Sequence, residues 1–192
     1  FYVNEFVLDP RPETEVILEE SIKLIKNKNS SIKILDIGTG SGALAISLAR
    51  EFTKANIMAI DISEKAIKVA NLNIINKNLD KQIQLRKTTF DKINEKFDLI
   101  VSNPPYLSKK ELKNTSYEIK NYEPLIALDG GEDGLDFYRY FSKKINNIMK
   151  VNSYFILEIG AGQSRDCIDI FSLSELNFHK KAQDLQKKDR IL

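Results

Sequence analysis

Four consecutive residues, Asn103-Pro104-Pro105-Tyr106, follow the apolar stretch FDLIVS and are the first candidates for chemistry. Two prolines end a strand because neither can donate a ladder hydrogen bond, but ending a strand requires neither an amide nor a tyrosine. The Asn103 side-chain carbonyl and the Pro104 backbone carbonyl can each accept one N–H bond from a planar nitrogen, as found in an amide or an aromatic amine. Tyr106 can stack on the flat face of the group that carries this nitrogen.

Two such acceptors would prepare a planar nitrogen to attack an electrophilic carbon. The bonds favour lone-pair density on the nitrogen over its delocalisation, and proline keeps the backbone carbonyl aimed in one direction. No strong base is needed before the attack, because the nitrogen becomes acidic only as it is alkylated. Positioning and acceptor dipoles should therefore supply most of the catalysis. A sulfonium methyl donor is a suitable electrophile, whereas hydride transfer does not need this arrangement.

A glycine-rich turn, DIGTGSGA, indicates a second ligand contact. Gly38, Gly40 and Gly42 lie between an apolar strand and a helix, where glycine permits a tight turn and close approach of the backbone to a ligand. Asp61 ends the next apolar strand, and its carboxylate can accept bonds from two ribose hydroxyls. The turn and the acid together predict an adenosine-containing ligand. By themselves they fit a nicotinamide cofactor as well as a sulfonium donor.

Strands alternate with helices along the chain, which predicts a mostly parallel sheet with helices on both faces. Strands are predicted before the glycine-rich turn and over 56–63, 82–88, 97–103 and 153–160. Helices are predicted over 12–26, after the glycine-rich turn, after Ser63, over 135–148 and near 163–173. We expect residues 107–133 to form a long polar connection and 177–192 to form two antiparallel edge strands.

The carboxyl ends of the strands are where ligands bind in such a sheet. The glycine-rich turn, Asp61 and Asn103 all follow strand ends, so we expect them at one edge. If the fourth strand lies beside the first, Asn103 faces the reactive end of the bound ligand. We see no internal repeat or linker and predict one domain over 1–192.

Composition is typical of a globular protein, with 42% apolar and 29% charged residues. Cys167 is the only cysteine, which excludes an internal disulfide and fits a reducing cytoplasm. A net charge of +2 with dispersed basic residues does not favour nucleic acid as a partner. No apolar run approaches the ~20 residues that cross a membrane. We therefore expect a cytoplasmic, monomeric protein without a metal. Because Phe1 is not an initiating Met, we also expect the sequence to be a fragment.

Five motifs give the chain a family resemblance: PRPETE, LDIGTGSGALAISLA, IVSNPPY, EPLIALDGGEDGLDFYR and DLQKKDR. The sequence resembles the protein-(glutamine-N5) methyltransferases that modify peptide chain release factors, over nearly its whole length. NPPY alone is shared with DNA adenine-N6 methyltransferases, and the flanking motifs are more specific to the glutamine family. The resemblance implies a Rossmann-like class I methyltransferase fold, a mostly parallel seven-stranded sheet with an antiparallel C-terminal edge hairpin. It also implies a small helical substrate-binding domain upstream of the catalytic domain.

The resemblance further implies S-adenosylmethionine as donor, S-adenosylhomocysteine as product and the glutamine of a release factor's Gly-Gly-Gln loop as acceptor. Catalysis would fall to Asn103, Pro104 and Tyr106, with Pro105 completing the glutamine pocket. The residues that would bind the donor follow strand ends: Gly38, Thr39, Gly40, Ser41, Gly42, Asp61, Thr89 and Asn103.

The sequence departs from the family pattern after the third strand, where an acidic residue and an aromatic often flank the adenine. Thr88 and Thr89 stand there, which weakens the expectation of an adenine contact at Thr89. Asp9 also replaces a residue that is usually apolar before PRPETE.

Other activities and roles stay open at this point. Methylation of an exocyclic amine, adenine N6 in DNA or guanine N2 in RNA, would need a flipped or unpaired base and a basic, aromatic-rich module that the sequence lacks. A non-catalytic nucleoside-binding module is the alternative of a different class. Arg11, Glu13 and Thr14 either border the site or begin a helix, Glu123 either orders a loop or is a surface carboxylate, and Glu158 is expected to make a structural hydrogen bond.

Overall fold

The computed structural model describes residues 1–115, 117, 122–174 and 176–192, with Glu13 described by its backbone alone. In these residues five parallel strands form one sheet in the order β3-β2-β1-β4-β5. The strands are β1 Lys33–Ile37, β2 Asn56–Asp61, β3 Ile83–Lys87, β4 Phe97–Ser102 and β5 Met149–Leu157. β1 therefore lies between β2 and β4, which confirms that the fourth strand is the neighbour of the first.

The helices begin where the sequence provides a start signal. Pro12 begins α1 in the first helical turn, and the Ser63 hydroxyl accepts a bond from the Ala66 amide at 3.2 Å to begin α3. Ser108 and Glu111 form a capping box at the start of α4. The α-helices whose bounds lie in the described residues are α1 Pro12–Leu24, α2 Ala43–Glu51, α3 Glu64–Asn76, α4 Lys109–Asn114, α5 Asp136–Ser142 and α6 Ser164–Ser172.

Both faces of the sheet are buried, as expected for a parallel sheet. Neighbouring residues of β1 point to opposite sides: Ile34 packs with α1 and α2, and Leu35 packs with α5 and α6. The side chains of both residues are fully buried. This explains why the central strands β1, β2 and β4 read as mostly apolar runs instead of alternating patterns, whereas the edge strands β3 and β5 are partly exposed.

The C-terminal hairpin differs from the predicted sheet. Strands β6, Ala182–Gln183, and β7, Asp189–Ile191, pair antiparallel in a two-stranded sheet of their own. The described residues therefore form a five-stranded sheet and a separate hairpin, and they do not show the predicted seven-stranded sheet. β6 has only two residues, and the hairpin meets the end of β5 at an antiparallel bridge, Glu158 to Ile191. Backbone hydrogen bonds join Leu157 to Leu192 and the Ile159 amide to the Arg190 carbonyl there.

Two other predicted segments are divided differently. The stripe over 135–148 is α5 followed by a 3₁₀ helix, Ile145–Ile148, and β5 begins at Met149. A 3₁₀ helix also places residues three apart on one side, so the apolar spacing did not distinguish it from an α-helix. The connection over 107–133 contains α4 and a 3₁₀ helix, Leu125–Ala127, and its residues 116 and 118–121 lie outside the described residues.

The glycines of the DGGEDG segment hold the chain against Tyr106. The Leu107 amide donates to the Leu128 carbonyl at 3.0 Å, and the Gly130 amide donates to the Leu107 carbonyl at 2.8 Å. A Cβ atom at Gly130 would lie 2.8 Å from the Tyr106 Cα, and one at Gly134 would overlap the Tyr106 carbonyl oxygen. Glycine is therefore required at both positions for this close packing.

We predict that Gly134→Ala destabilises the protein more than Gly162→Ala does. Both glycines have positive φ, +82° and +89°, so both alanines incur left-handed strain of about 1–2 kcal/mol. Only the alanine at 134 also overlaps the Tyr106 carbonyl, since nothing lies within 4 Å of a Cβ at Gly162. We expect an additional loss of about 1–3 kcal/mol in the free energy of unfolding, measured by urea denaturation. Equal losses would show that the overlap is relieved without cost.

Candidate functional site

A cavity of about 380 Å³ opens at the carboxyl edge of the sheet, a volume suited to a cofactor-sized ligand. Eight residues predicted to bind ligands line it: Gly38, Thr39, Gly40, Ser41, Asp61, Thr89, Asn103 and Pro105. Three other predicted residues are not in its wall: Gly42, Pro104 and Tyr106. The parallel pairing of β1 with β2 and β4 explains the convergence, because the three strands end at the same edge.

Hydrogen bonds within the protein shape the glycine-rich turn. The Gly38 and Thr39 amides donate to the Ile60 carbonyl at 2.9 and 3.0 Å, and the Gly40 amide donates to Asp61 Oδ2 at 3.0 Å. These bonds hold the turn against the end of β2. The three amides therefore already have acceptors within the protein. The contribution of the turn to binding is mainly that a ligand can come close to its backbone.

Gly42 has a structural position behind the turn. Its φ of +81° begins α2 in the left-handed region, and a Cβ there would lie 3.3 Å from the Ala70 Cβ of α3. It thus allows α2 to pack closely on α3. The prediction that it binds the donor stays untested.

Asp61 is held rigidly in the cavity wall. Its Oδ1 accepts a bond from the Ser63 amide at 2.8 Å, and its Oδ2 accepts the Gly40 bond. Burial raises the pKa of the Asp61 carboxyl above its usual value, against the opposing effect of these backbone donors. The carboxylate is thus a fixed acceptor between the first two strands.

Asp36 is a second acid beneath the turn. It is 1% exposed, and Oδ2 accepts a bond from the Thr39 hydroxyl at 2.6 Å. Burial is the main cause that raises the pKa of Asp36 to about 7; the Thr39 bond lowers it and the charge of Asp61 raises it further. Asp36 therefore holds the glycine-rich turn through its hydrogen bond to the Thr39 side chain.

Asn103 is part of a chain of side-chain hydrogen bonds. Its Nδ2 donates to Thr14 Oγ1 at 2.9 Å, and the Thr14 hydroxyl donates to Glu158 Oε2 at 3.0 Å. The Tyr106 hydroxyl donates to Glu158 Oε1 at 3.1 Å. Glu158 is 1% exposed, so the expected structural hydrogen bond is present and connects two residues of the NPPY motif.

The backbone of the NPPY motif is also held on both sides. The Ser102 hydroxyl donates to the Ile37 carbonyl at 2.9 Å, which fastens the end of β4 to β1. Gln163 Nε2 donates to the carbonyls of Tyr106 at 3.0 Å and Gly134 at 3.3 Å. Pro104 is buried, and the Tyr106 hydroxyl faces Glu158.

Several cavity residues were missed in the sequence. The segment before α1 contributes a wall, and Phe137 and Tyr140 of α5 contribute another. Asn73 of α3 holds the first wall: its Oδ1 accepts from the Tyr2 amide at 2.7 Å, and its Nδ2 donates to the Tyr2 carbonyl at 2.8 Å. Val7 of this segment is buried, with 4% of its surface exposed.

Charged residues join the two sides of the cavity mouth. Arg11, which lines the cavity, forms an ion pair with Glu123 of the loop that precedes DGGEDG. Thr14 also lines the cavity, whereas the side chain of Glu13 lies outside what the structure describes. This ion pair connects the loop to the residue before α1, and an ordering role for Glu123 stays a prediction.

The described residues contain neither a cluster of metal-binding side chains nor a helix that could cross a membrane. No group of three or more His, Cys, Asp or Glu side chains is arranged to hold a metal ion. No helix in that part of the chain has both the length and the apolar character needed to span a membrane.

We predict that Asp36→Asn removes a pH-dependent loss of stability. A carboxyl whose pKa is raised from 3.8 to about 7 keeps its proton longer in the folded state, so its stabilising contribution is lost as pH rises through this interval. Between about pH 5 and pH 8 the wild type should lose about 3 kcal/mol of unfolding free energy relative to Asp36→Asn. Urea denaturation at several pH values measures this difference. Parallel pH curves for the two proteins would contradict it.

Comparison with known proteins supports one family. The model of the methyltransferase small domain matches residues 15–120. A bifunctional methyltransferase of Rickettsia typhi is 41% identical over all of this chain, which spans 41% of that relative's length. A release factor glutamine methyltransferase of Thermodesulfovibrio yellowstonii is 39% identical over 99% of this chain and 69% of its own length.

A solved structure gives the same result. The release-factor-specific protein-(glutamine-N5) methyltransferase of Alicyclobacillus acidocaldarius is 27% identical, with a TM-score of 0.59. The match covers 100% of this chain and 96% of that chain. The chain therefore belongs to the release factor glutamine methyltransferase family.

Proposed function

We propose that the chain transfers a methyl group from S-adenosylmethionine to the N5 amide nitrogen of the glutamine in the Gly-Gly-Gln loop of peptide chain release factors. The observation that carries this proposal is the presence of Asn103 in the same cavity wall as the glycine-rich turn and Asp61. A Cβ atom built on Gly38 would lie 4.0 Å from the Asn103 carbonyl oxygen, so the two segments are neighbours. A donor held by the turn would then have its reactive end near Asn103.

The donor set of the cavity fits an adenosine-containing molecule. Asp61 would accept bonds from ribose hydroxyls, and the turn over 38–42 would admit the amino-acid part of the donor close to the backbone. Ile62, Thr89 and Phe90 line the same cavity beyond Asp61 and would face the base. When bound, S-adenosylmethionine supplies an electrophilic methyl group on a positively charged sulfur.

The acceptor nitrogen would be activated by position. Asn103 Oδ1 and the Pro104 carbonyl would each accept a hydrogen bond from one N–H group of the glutamine amide. These two bonds would hold the lone pair of the nitrogen in line with the methyl carbon. The new N–C bond forms as the C–S bond breaks, with its electron pair passing to sulfur and leaving S-adenosylhomocysteine. The methylated nitrogen then loses a proton to solvent. The two acceptors stabilise the positive charge that develops on nitrogen during this step.

The partner would be a peptide chain release factor. The enzyme would bind it as a monomer in the cytoplasm, where translation terminates. Tyr106, held through Glu158, and Pro105 at the cavity wall would border the glutamine side chain. We propose that residues 1–192 act together as the catalytic domain for this reaction.

We predict that the chain, incubated with release factor and methyl-labelled donor, adds one methyl group to the loop glutamine. Mass spectrometry of the digested release factor identifies the modified residue. Asn103→Ala should abolish transfer because one of the two acceptors is lost, while donor affinity measured by calorimetry stays within about tenfold. Asn147→Ala, an exposed asparagine outside the cavity, is the matched control and should retain transfer.

Three results would contradict the proposal. Label in DNA or RNA without label in the release factor would favour methylation of a base amine. Donor binding without transfer to any acceptor would favour a nucleoside-binding module. Full activity of Asn103→Ala would refute the role of its amide.

A further inference from the structure

We infer that Thr14 and Glu158 are positioning residues that orient the Asn103 side chain, so that its carbonyl and not its amino group faces the glutamine nitrogen that receives the methyl group. This inference rests on the proposed function for its consequence, but the orientation itself is a property of the protein without substrate. It adds a role for the first turn of α1 and for the residue that follows β5.

The direction of the hydrogen bonds supports this orientation. A threonine hydroxyl has one hydrogen, and it donates this hydrogen to Glu158 Oε2 at 3.0 Å, which an ionised carboxylate can only accept. The Thr14 oxygen can then only accept from Asn103, at 2.9 Å. The amino branch of the Asn103 amide must therefore face Thr14. Among the described residues, none donates a hydrogen bond to Asn103 Oδ1, which is left as an acceptor on the other branch.

The orientation matters because the two branches of an amide have nearly equal size. A rotation of the Asn103 amide by half a turn would place N–H donors opposite the N–H donors of a glutamine amide. Two N–H donors repel each other, and the glutamine nitrogen would lose one of the two hydrogen bonds that hold it. Packing alone distinguishes the two branches poorly, whereas the Thr14 oxygen, whose one hydrogen is bonded to Glu158, accepts only from the amino branch.

Glu158 is suited to be the fixed end of this chain of bonds. Its carboxylate is buried and receives a second bond from the Tyr106 hydroxyl at 3.1 Å. Its backbone amide donates to the Ser102 carbonyl at 3.0 Å, so it is fastened to the end of β4, one residue before Asn103. Thr14 lies on α1, whose buried Ile17 packs into the core of the sheet. The supports of Asn103 thus come from rigid elements.

The test compares Thr14→Val, which keeps the shape of the side chain and removes the hydroxyl, with Thr14→Ser, which keeps the hydroxyl. The Asn103 side-chain amide signals are identified in ¹⁵N–¹H spectra by their loss in Asn103→Ala. We expect these signals to shift in Thr14→Val and to stay near the wild-type position in Thr14→Ser. Thr53→Val, at an exposed threonine, is the control for a general effect of the substitution.

Kinetics give the second readout. We expect Thr14→Val to lower kcat by about tenfold or more, with donor affinity and KM for the release factor changed less than about threefold, and Thr14→Ser to restore kcat. Unchanged kcat in folded Thr14→Val would overturn the inference even if the wild type methylates release factor. A wild type that does not methylate would refute the proposed function and leave the spectroscopic test in force.

A third measurement covers the case in which Thr14→Val does not fold. In the wild type, the Asn103 side-chain amide protons should show nuclear Overhauser effects to the Thr14 side chain. If these are missing while the Asn103 signals are observed, the amino branch does not face Thr14 and the inference fails.

Discussion

The pairing of β1 with β4 is the interaction on which the rest of the site depends. It places Ile37 opposite Ser102, and the Ser102 hydroxyl reinforces the register by its bond to the Ile37 carbonyl at 2.9 Å. The glycine-rich turn and Asn103 follow directly after these two residues. A slip of one residue would turn every side chain of β4 to the opposite face and break the bond from Ser102 to Ile37, so this bond helps to fix the register of the site.

Around this edge, the NPPY motif is held by groups from distant parts of the chain. Gln163 bonds the Tyr106 carbonyl, Gly134 packs against it, and Glu158 bonds the Tyr106 hydroxyl. Thr14 completes the enclosure from the side of α1. Reactions that depend on positioning gain from such support, because acceptors already aimed at the substrate need no reorganisation when charge develops.

The cavity walls show a second kind of organisation. The segment before α1 is fastened to α3 through Asn73, and the loop before α5 is fastened to the start of α1 through the ion pair of Glu123 with Arg11. The PRPETE and EPLIALDGG motifs therefore meet at the cavity mouth, although more than a hundred residues separate Arg11 from Glu123 along the chain. Residues of both motifs therefore line the same cavity as Asn103.

The amino-acid sequence by itself determined the strands, the glycine-rich turn, Asp61 and Asn103, because buried parallel strands and special turns have local signals in apolar runs, Gly and Pro. It also indicated that these elements meet at one edge, since parallel strands end together. Only the tertiary structure decided that Thr14, Asn73 and Glu158 belong to the site, because a polar side chain carries no local sign of the partner it will meet. The same holds for the hairpin, whose separation from the sheet depends on how two short strands meet the end of β5.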